Sequence, residues 1–547
     1  MPEVVRIGLT CACVLLSACT AVVDGKPTEP MPGSAGTSST EPQAAEPCTG
    51  SSLIATRVRK ITDQQYDRLV RELLPSATVP VVATPGTELA LIKDESKFVV
   101  RGPLASQYWD GAFELAKQAL AQPGLVPCSP VPVDVATQRA CAGQLLDTLG
   151  PKVFRRPLTS ADTEPLLAVY DAGAPTSFEK GIELVLAALL QSADFLYRTE
   201  LGDPAQAGPE VTLAPYEVAS LLSFLFLGGA PDAELYAAAS SGSLASDQGV
   251  SEQVTRLLQL PSVQLNVTAL FSGVLGANGA LTSGRDPATY PELTPQLRQA
   301  MADEVSQLVW DNVFGQKPLL DLFTSRSAQV DDNLAGFYGL AHSGPPSLVE
   351  LPAEQRSGLL TRAGTVLSMP TGSRTVHRGL FIANNYLCRV LSPPPASLQA
   401  EITQTLALGL TEREVAELRA SKPTCAGCHA SFDGLGLAFE HYDFIGRYLT
   451  ERDGAPVDAH GELNHSDVDG AFANLLELSE MLGRSRDVAV CLPQRLSAQA
   501  LGLTLEDGEK CSVEQEITPW ADGQRPLGQL LPLLTKSRFF LQRTRTN

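Results

Sequence analysis

The sequence predicts a mainly α protein: a multi-module helical body with a small β-hairpin near its C-terminal third. Three observations predict it. Apolar residues recur at helical spacing along most of the chain beyond residue 60. Several of those segments open on a recognisable helix start. Period-two alternation is rare, and the best stretch, 447–463, contains Asp453-Gly454, a hairpin-turn pair. With 44% hydrophobic and 19% charged residues the chain has the composition of a globular protein. Its 547 residues are enough for about three to five domains.

From the N-terminus, residues 1–18 read as an export signal, with Arg6 as the basic region and Ile7 to Leu16 as an apolar run too short to span a bilayer. Leu16-Ser17-Ala18-Cys19 resembles a bacterial lipobox. That resemblance implies cleavage before Cys19 and lipidation of its thiol, with the lipid as the only membrane contact. It places the protein in the cell envelope, at the outer membrane or periplasm, the side Thr20 favours. Residues 19–50 are rich in Pro, Gly, Ser, Thr and Ala and read as a flexible tether.

Helical modules are expected at 51–127, 128–203, 204–342, 343–464 and 465–547, divided where Pro and Gly cluster. Thr62-x-x-Gln65 looks like a capping box before Tyr66, Leu69, Val70, Leu73 and Leu74. Further helices are expected over 136–150, 160–171, 178–196, 215–227, 250–260, 294–312, 356–367, 376–389, 411–420, 471–483 and 490–503. The segment 178–196 is apolar nearly all round and should be central.

A net charge of −20 argues against nucleic acid as a partner. Cysteines beyond Cys19 are disulfide candidates if the chain is exported. Cys128 with Cys141, and Cys491 with Cys511, would close short loops, leaving Cys48 and Cys388 paired or free.

The most specific motif is Cys425-Ala426-Gly427-Cys428-His429. C-x-x-C-H is the pattern of c-type haem attachment. Two thiols at i and i+3 lie on one helical face, where each can form a thioether, and His429 follows as the proximal iron ligand. The other reading makes Cys425–Cys428 a structural disulfide in a non-enzymatic surface protein. Zinc would want a second pair of such ligands, and none is present. For the sixth iron position Met369, in the loop-like SMPTGS segment, is the first candidate and His377 the next; Met31 lies in the tether and Met481 reads as core. Asp443, Asp453 and Asp458 could line a cation site, although turn and capping roles suit them better. Arg155-Arg156 reads as an ion pair at a helix end. No G-x-S-x-G elbow, phosphate loop or H-E-x-x-H marks a hydrolase.

Several strings together carry a family resemblance: Ile61-Thr62-x-x-Gln65-Tyr66, Gly150-Pro151-Lys152-Val153-Phe154-Arg155-Arg156-Pro157-Leu158-Thr159, Leu213-x-Pro215-Tyr216-Glu217, Arg374-x-x-x-Arg378-Gly379, Pro393-Pro394-Pro395, and Gly434-Leu435-Gly436-Leu437-Ala438-Phe439-Glu440-x-Tyr442-Asp443-x-x-Gly446-Arg447. In this order they resemble a family of large exported multi-module proteins of unknown function, common in planctomycetes and myxobacteria. The resemblance implies a cytochrome-c-like module with one covalent haem c on Cys425, Cys428 and His429. It also implies electron transfer, or service as the haem part of an oxidoreductase, with an unidentified redox partner or substrate. Two departures stand out. Phe432-Asp433-Gly434 occupies the place of an aliphatic residue, Asp and Pro, and Leu221 the place of an Arg.

Overall fold

Helices carry the fold, and strands occur only as short antiparallel pairs, in a computed structural model that describes residues 52–80, 100, 102–128, 130–389, 391 and 409–545. The signal segment, Cys19, Met31, Cys48 and the tether lie outside the described residues. No described helix is long and apolar enough to cross a membrane.

Local signals place most helices. Thr62 caps Asp63–Leu73 as a full capping box with Gln65, and Tyr66, Leu69 and Val70 are buried. Asp134, Ser177, Thr294 and Thr411 cap the helices Val135–Phe154, Phe178–Leu190, Pro295–Phe314 and Glu412–Ser421. Phe178–Leu190 buries eight residues and packs against both Ser160–Gly173 and Gly102–Leu120, so it is central to its region as expected.

Other helices lie where the pattern does not announce them. Gly102–Leu120 and Pro261–Val274 begin on Gly-Pro and Pro, which read as breaks although Pro is well tolerated in a first turn. Asp507–Ala521 carries Pro519 near its end. The helix expected over 356–367 is a 3₁₀ turn, Leu359–Thr361, followed by Ala363–Ser368. Gly358, at φ 65°, keeps the helix from starting at 356 and sits so close to the Phe323 carbonyl that no side chain fits.

The hairpin forms where Asp453-Gly454 predicts it, with Arg452 opposite Ala455 and both turn residues at positive φ. Four more two-stranded ladders form, the first two between segments far apart in sequence and the last two between nearby ones. Arg57–Lys60 pairs with Tyr197–Glu200, Glu210–Thr212 with Gln542–Thr544, Ser327–Val330 with Ser347–Glu350, and Gly461–Leu463 with Gly470–Phe472.

One apolar core gathers Leu222, Val309, Ile382, Phe432, Leu435 and Leu496, so residues from the stretches 204–342, 343–464 and 465–547 share an interior. A second core surrounds Tyr66, Ala112, Leu145 and Ile182. A third surrounds Met301, Leu334 and Ile445.

Cys128 and Cys141 are bonded, as the short spacing suggests. The pairing of Cys491 with Cys511 is corrected. Cys491 bonds Cys388, 103 residues away, and Cys511 is in a disulfide of its own. Helix packing brings Cys388, at the end of Arg374–Tyr386, beside Arg486–Leu501, which carries Cys491. Sequence separation says nothing about such a contact. Arg156 is the ion-pairing residue expected, 2.8 Å from Asp162 and 3.1 Å from Asp194. Its neighbour Arg155 is buried and donates to the carbonyls of Asp194, Phe195 and Tyr197.

Candidate functional site

The cysteine motif occupies its own short helix, Pro423–His429, which starts on Pro423 and buries none of its residues. It follows Glu412–Ser421, whose first turn is tied down by Glu412. That carboxylate accepts from the Ser373 hydroxyl and from the backbone N–H groups of Arg374 and Thr375, at the start of Arg374–Tyr386. One acidic side chain thereby holds two helix starts together.

Arg374–Tyr386 is the platform on which the helices flanking the motif, Glu412–Ser421 and Asp433–Leu437, rest. It packs along the short helix Asp433–Leu437 at a separation that admits no side chain. A Cβ on Gly436 would stand 1.8 Å from the Thr375 carbonyl oxygen, and one on Gly379 would stand 2.0 Å from that of Phe432. A Cβ on Gly434 would stand 2.6 Å from the Glu462 carbonyl oxygen. Gly436→Ala is expected to lower stability by about 1–3 kcal/mol, the usual scale for overpacking a close contact, read as a lower urea midpoint. An unchanged midpoint would mean that the two helices separate freely.

Arg378 completes the platform. It is 1% exposed, and its guanidinium donates to the carbonyls of Phe439, Tyr442 and Asp443 at 2.7–2.9 Å. Burial pushes its pKa down to about 10, with Glu440 opposing. Glu440 meanwhile pairs with Arg374 and Arg452. Arg374, Arg378 and the 434–447 string therefore act together to fix the turn after the cysteine helix.

His429 is held at three points. Its backbone lies in the helix, its ring packs on Phe432 at 4.8 Å, and its Nδ1 is 3.0 Å from Asp433 Oδ1. Asp433 is 6% exposed, and its second oxygen accepts from Arg419 Nε at 2.9 Å. No hydrogen bond to His429 Nε2 is formed among the described residues. Sequence reasoning misses both Asp433 and Arg419 as site residues. The available signal is a carboxylate four residues past a histidine.

Cys425 and Cys428 are free thiols, half-buried and exposed respectively. The alternative disulfide between them is therefore not formed. The other five described cysteines are all in disulfides. The donor set suits a haem: two free thiols one helical turn apart, and a histidine whose outer nitrogen has no hydrogen-bond partner among the described residues.

The remaining candidates are placed elsewhere or engaged. Met369 is 2% exposed in the principal core, its carbonyl accepting from Arg285. His377 has a buried Nδ1 without a hydrogen-bond partner among the described residues. No hydrogen bond, ion pair or ring contact joins either to His429 among the described residues. Met481 packs on the principal core. Asp443 accepts from the N–H groups of Ile445 and Arg447, Asp453 makes the hairpin turn, and Asp458 pairs with Arg413 and His460. No group of three or more His, Cys, Asp or Glu gathers as a metal site among the described residues.

Two further features lie apart from the motif. His342 Nδ1 is 2.7 Å from Asp332, and its Nε2 is 3.0 Å from the Ser347 hydroxyl. This is the connectivity of a serine-hydrolase triad. The His342 side chain is sheltered, but Ser347 and its neighbours are exposed and the Asp332 side chain is 61% exposed, so water competes at both of its partners, where a preorganised site would exclude it. The trio pins the loop before Ser347–Glu350 to the helix Asp332–Tyr338. A cleft of about 670 Å³ is lined by Arg68, Glu72, Asp147, Lys152, Asp232 and Tyr236 among others. Its charges are of both signs, and two of its carboxylates, Glu72 and Asp232, are engaged with Arg68 and Arg256.

Three families match successive stretches of the chain. Residues 141–200 match PSD5, a protein of unknown function (DUF1595). Residues 213–340 match PSD4, a protein of unknown function (DUF1592). Residues 356–452 match PSCyt3, a protein of unknown function (DUF1588), and this stretch contains Cys425, Cys428, His429 and Asp433. Neither a curated protein nor a solved structure matches the chain.

Proposed function

We propose that this chain, which carries those three modules in that order, is an exported, lipid-anchored protein with one covalent haem c. It serves in extracytoplasmic electron transfer or as the haem part of an oxidoreductase. One observation carries the reading. In a chain where the other five described cysteines are in disulfides, the two of the C-x-x-C-H motif stay free. Disulfides belong to oxidising compartments. Two thiols one turn apart that remain reduced there are available for another covalent partner, and the motif names a vinyl-bearing haem.

Cys425 and Cys428 would anchor the group, and His429 would offer Nε2 to its iron. A haem held there supplies one-electron redox chemistry. The surface position of the helix suits exchange with a partner, since none of its residues is buried. The glycine-tight platform under the flanking helices keeps His429 in place. No residue is assigned to the sixth iron position. Cys19 as the lipid site and the cell envelope as the location follow from the lipobox resemblance.

The test is a mass and absorption spectrum of the mature protein from a host with working cytochrome c maturation. The expected result is the mass of one added haem, together with a reduced α-band that survives denaturation and disappears in Cys425→Ala/Cys428→Ala. A colourless protein of unmodified mass would overturn the redox reading and leave a tethered helical surface protein.

A further inference from the structure

We infer that Asp433 is the positioning residue for His429. Its carboxylate, braced by Arg419, accepts from Nδ1, turns Nε2 outward as the ligand, and lowers the reduction potential of a haem bound there. The inference rests on the haem reading above.

Hydrogen-bond chemistry fixes the direction of the Asp433–His429 contact. A carboxylate paired with a guanidinium is an acceptor only. Asp433 Oδ2 is 2.9 Å from Arg419 Nε, so Oδ1, 3.0 Å from His429 Nδ1, must receive the imidazole proton. That fixes the tautomer: Nδ1 carries hydrogen and Nε2 carries the lone pair. Orientation is fixed as well, because Phe432 packs on the ring and the Asp433–Leu437 helix rests on the Gly379–Gly436 contact.

The electronic consequence follows from charge. A metal-bound histidine commonly gives its second N–H to a carboxylate, a carbonyl or water, and such partners raise the basicity of the ligand. A carboxylate does so more strongly than a neutral carbonyl, because it adds a negative charge behind the ring. Here that charge is 6% exposed, so solvent screens it weakly. A more basic ligand favours oxidised over reduced iron and pulls the potential down. Arg419 moderates this effect. Its side chain is 11% exposed, and its buried Nη2 has no hydrogen-bond partner among the described residues, so Asp433 is the group that balances its charge.

The two residues therefore have opposite signs, which separates the proposal from a merely structural role. Asp433→Asn keeps an acceptor oxygen for Nδ1 but removes the charge. Arg419→Gln removes the counter-charge and leaves the negative charge behind the ring unbalanced. The experiment is redox titration of the full-length protein and both variants, each first checked by mass for covalent haem. Asp433→Asn is expected to raise the midpoint potential by about 59 mV or more, a tenfold change in a one-electron equilibrium constant. Arg419→Gln is expected to lower it. Loosening the site alone would move both in the same direction.

Haem attached with both potentials unmoved, or moved the same way, overturns the proposal and leaves the haem reading intact. A wild-type protein without the mass of haem overturns both. If Asp433→Asn does not accumulate, the downward shift in Arg419→Gln decides the matter, and its absence counts against the carboxylate.

Discussion

Glu200→Gln is expected to destabilise the protein by about 3–5 kcal/mol, the scale of breaking a buried ion pair from one side. Glu200 is 2% exposed and receives Arg57 at 2.9 Å and Arg543, from opposite ends of the chain. Arg198 lies in the same cluster, buried over the Phe224 ring at 4.4 Å. Removing the carboxylate that Arg57 and Arg543 share leaves guanidinium charges facing one another in a desolvated space. The check is chemical denaturation, where the midpoint should fall while the slope stays the same. A loss under about 1 kcal/mol would place the cluster with weak surface pairs.

The same residue gives a pH signature. Burial pushes the Glu200 carboxyl upward, but the charges of Arg57 and Arg543 outweigh burial and hold it well below its usual range. A carboxylate depressed on folding adds stability that is complete above its unfolded value, near 4.5, and is lost as pH falls below it. Wild-type stability should therefore drop more steeply than that of the Gln variant on acidification below about pH 4.5.

Removing the Cys388–Cys491 bond, as Cys388→Ser/Cys491→Ser, is expected to cost about 2–5 kcal/mol. The bridge spans 103 residues of sequence, a loop that contains both free thiols, His429 and Asp433. A long loop gains much entropy in the unfolded chain when released. The double variant avoids leaving one reactive thiol. Thermal unfolding should shift down by several degrees, and an unshifted transition would mean that packing alone holds Arg374–Tyr386 to Arg486–Leu501.

Features confined to a few neighbouring residues are legible in the sequence. The Thr62 box, the Asp453-Gly454 turn, the Cys128–Cys141 bridge and the spacing of Cys425, Cys428 and His429 each depend on one turn or one short loop. Other features depend on separate segments meeting. Arg378 belongs to a recognisable string, yet its role is visible only once the carbonyls of Phe439, Tyr442 and Asp443 converge on it. Gly379 and Gly436 gain meaning only from the two backbones that touch there. The helices at Gly102–Leu120 and Pro261–Val274 are hidden because a Pro that starts a helix looks locally like one that ends it.

The sequence alone determined the class of the fold, mainly helical, and the presence of a thiol–thiol–histidine motif on one face of a turn. Both are set by short-range geometry, in which 3.6 residues per turn and a fixed loop length leave few choices. Tertiary structure alone decided that Cys491 bonds Cys388 and that Glu200 gathers arginines from both ends of the chain. It also decided that the helix pair Arg374–Tyr386 and Asp433–Leu437 is locked by glycines. Those outcomes depend on which apolar faces find each other across hundreds of residues, and the hydrophobic effect that drives such meetings has no direction until the whole core has closed.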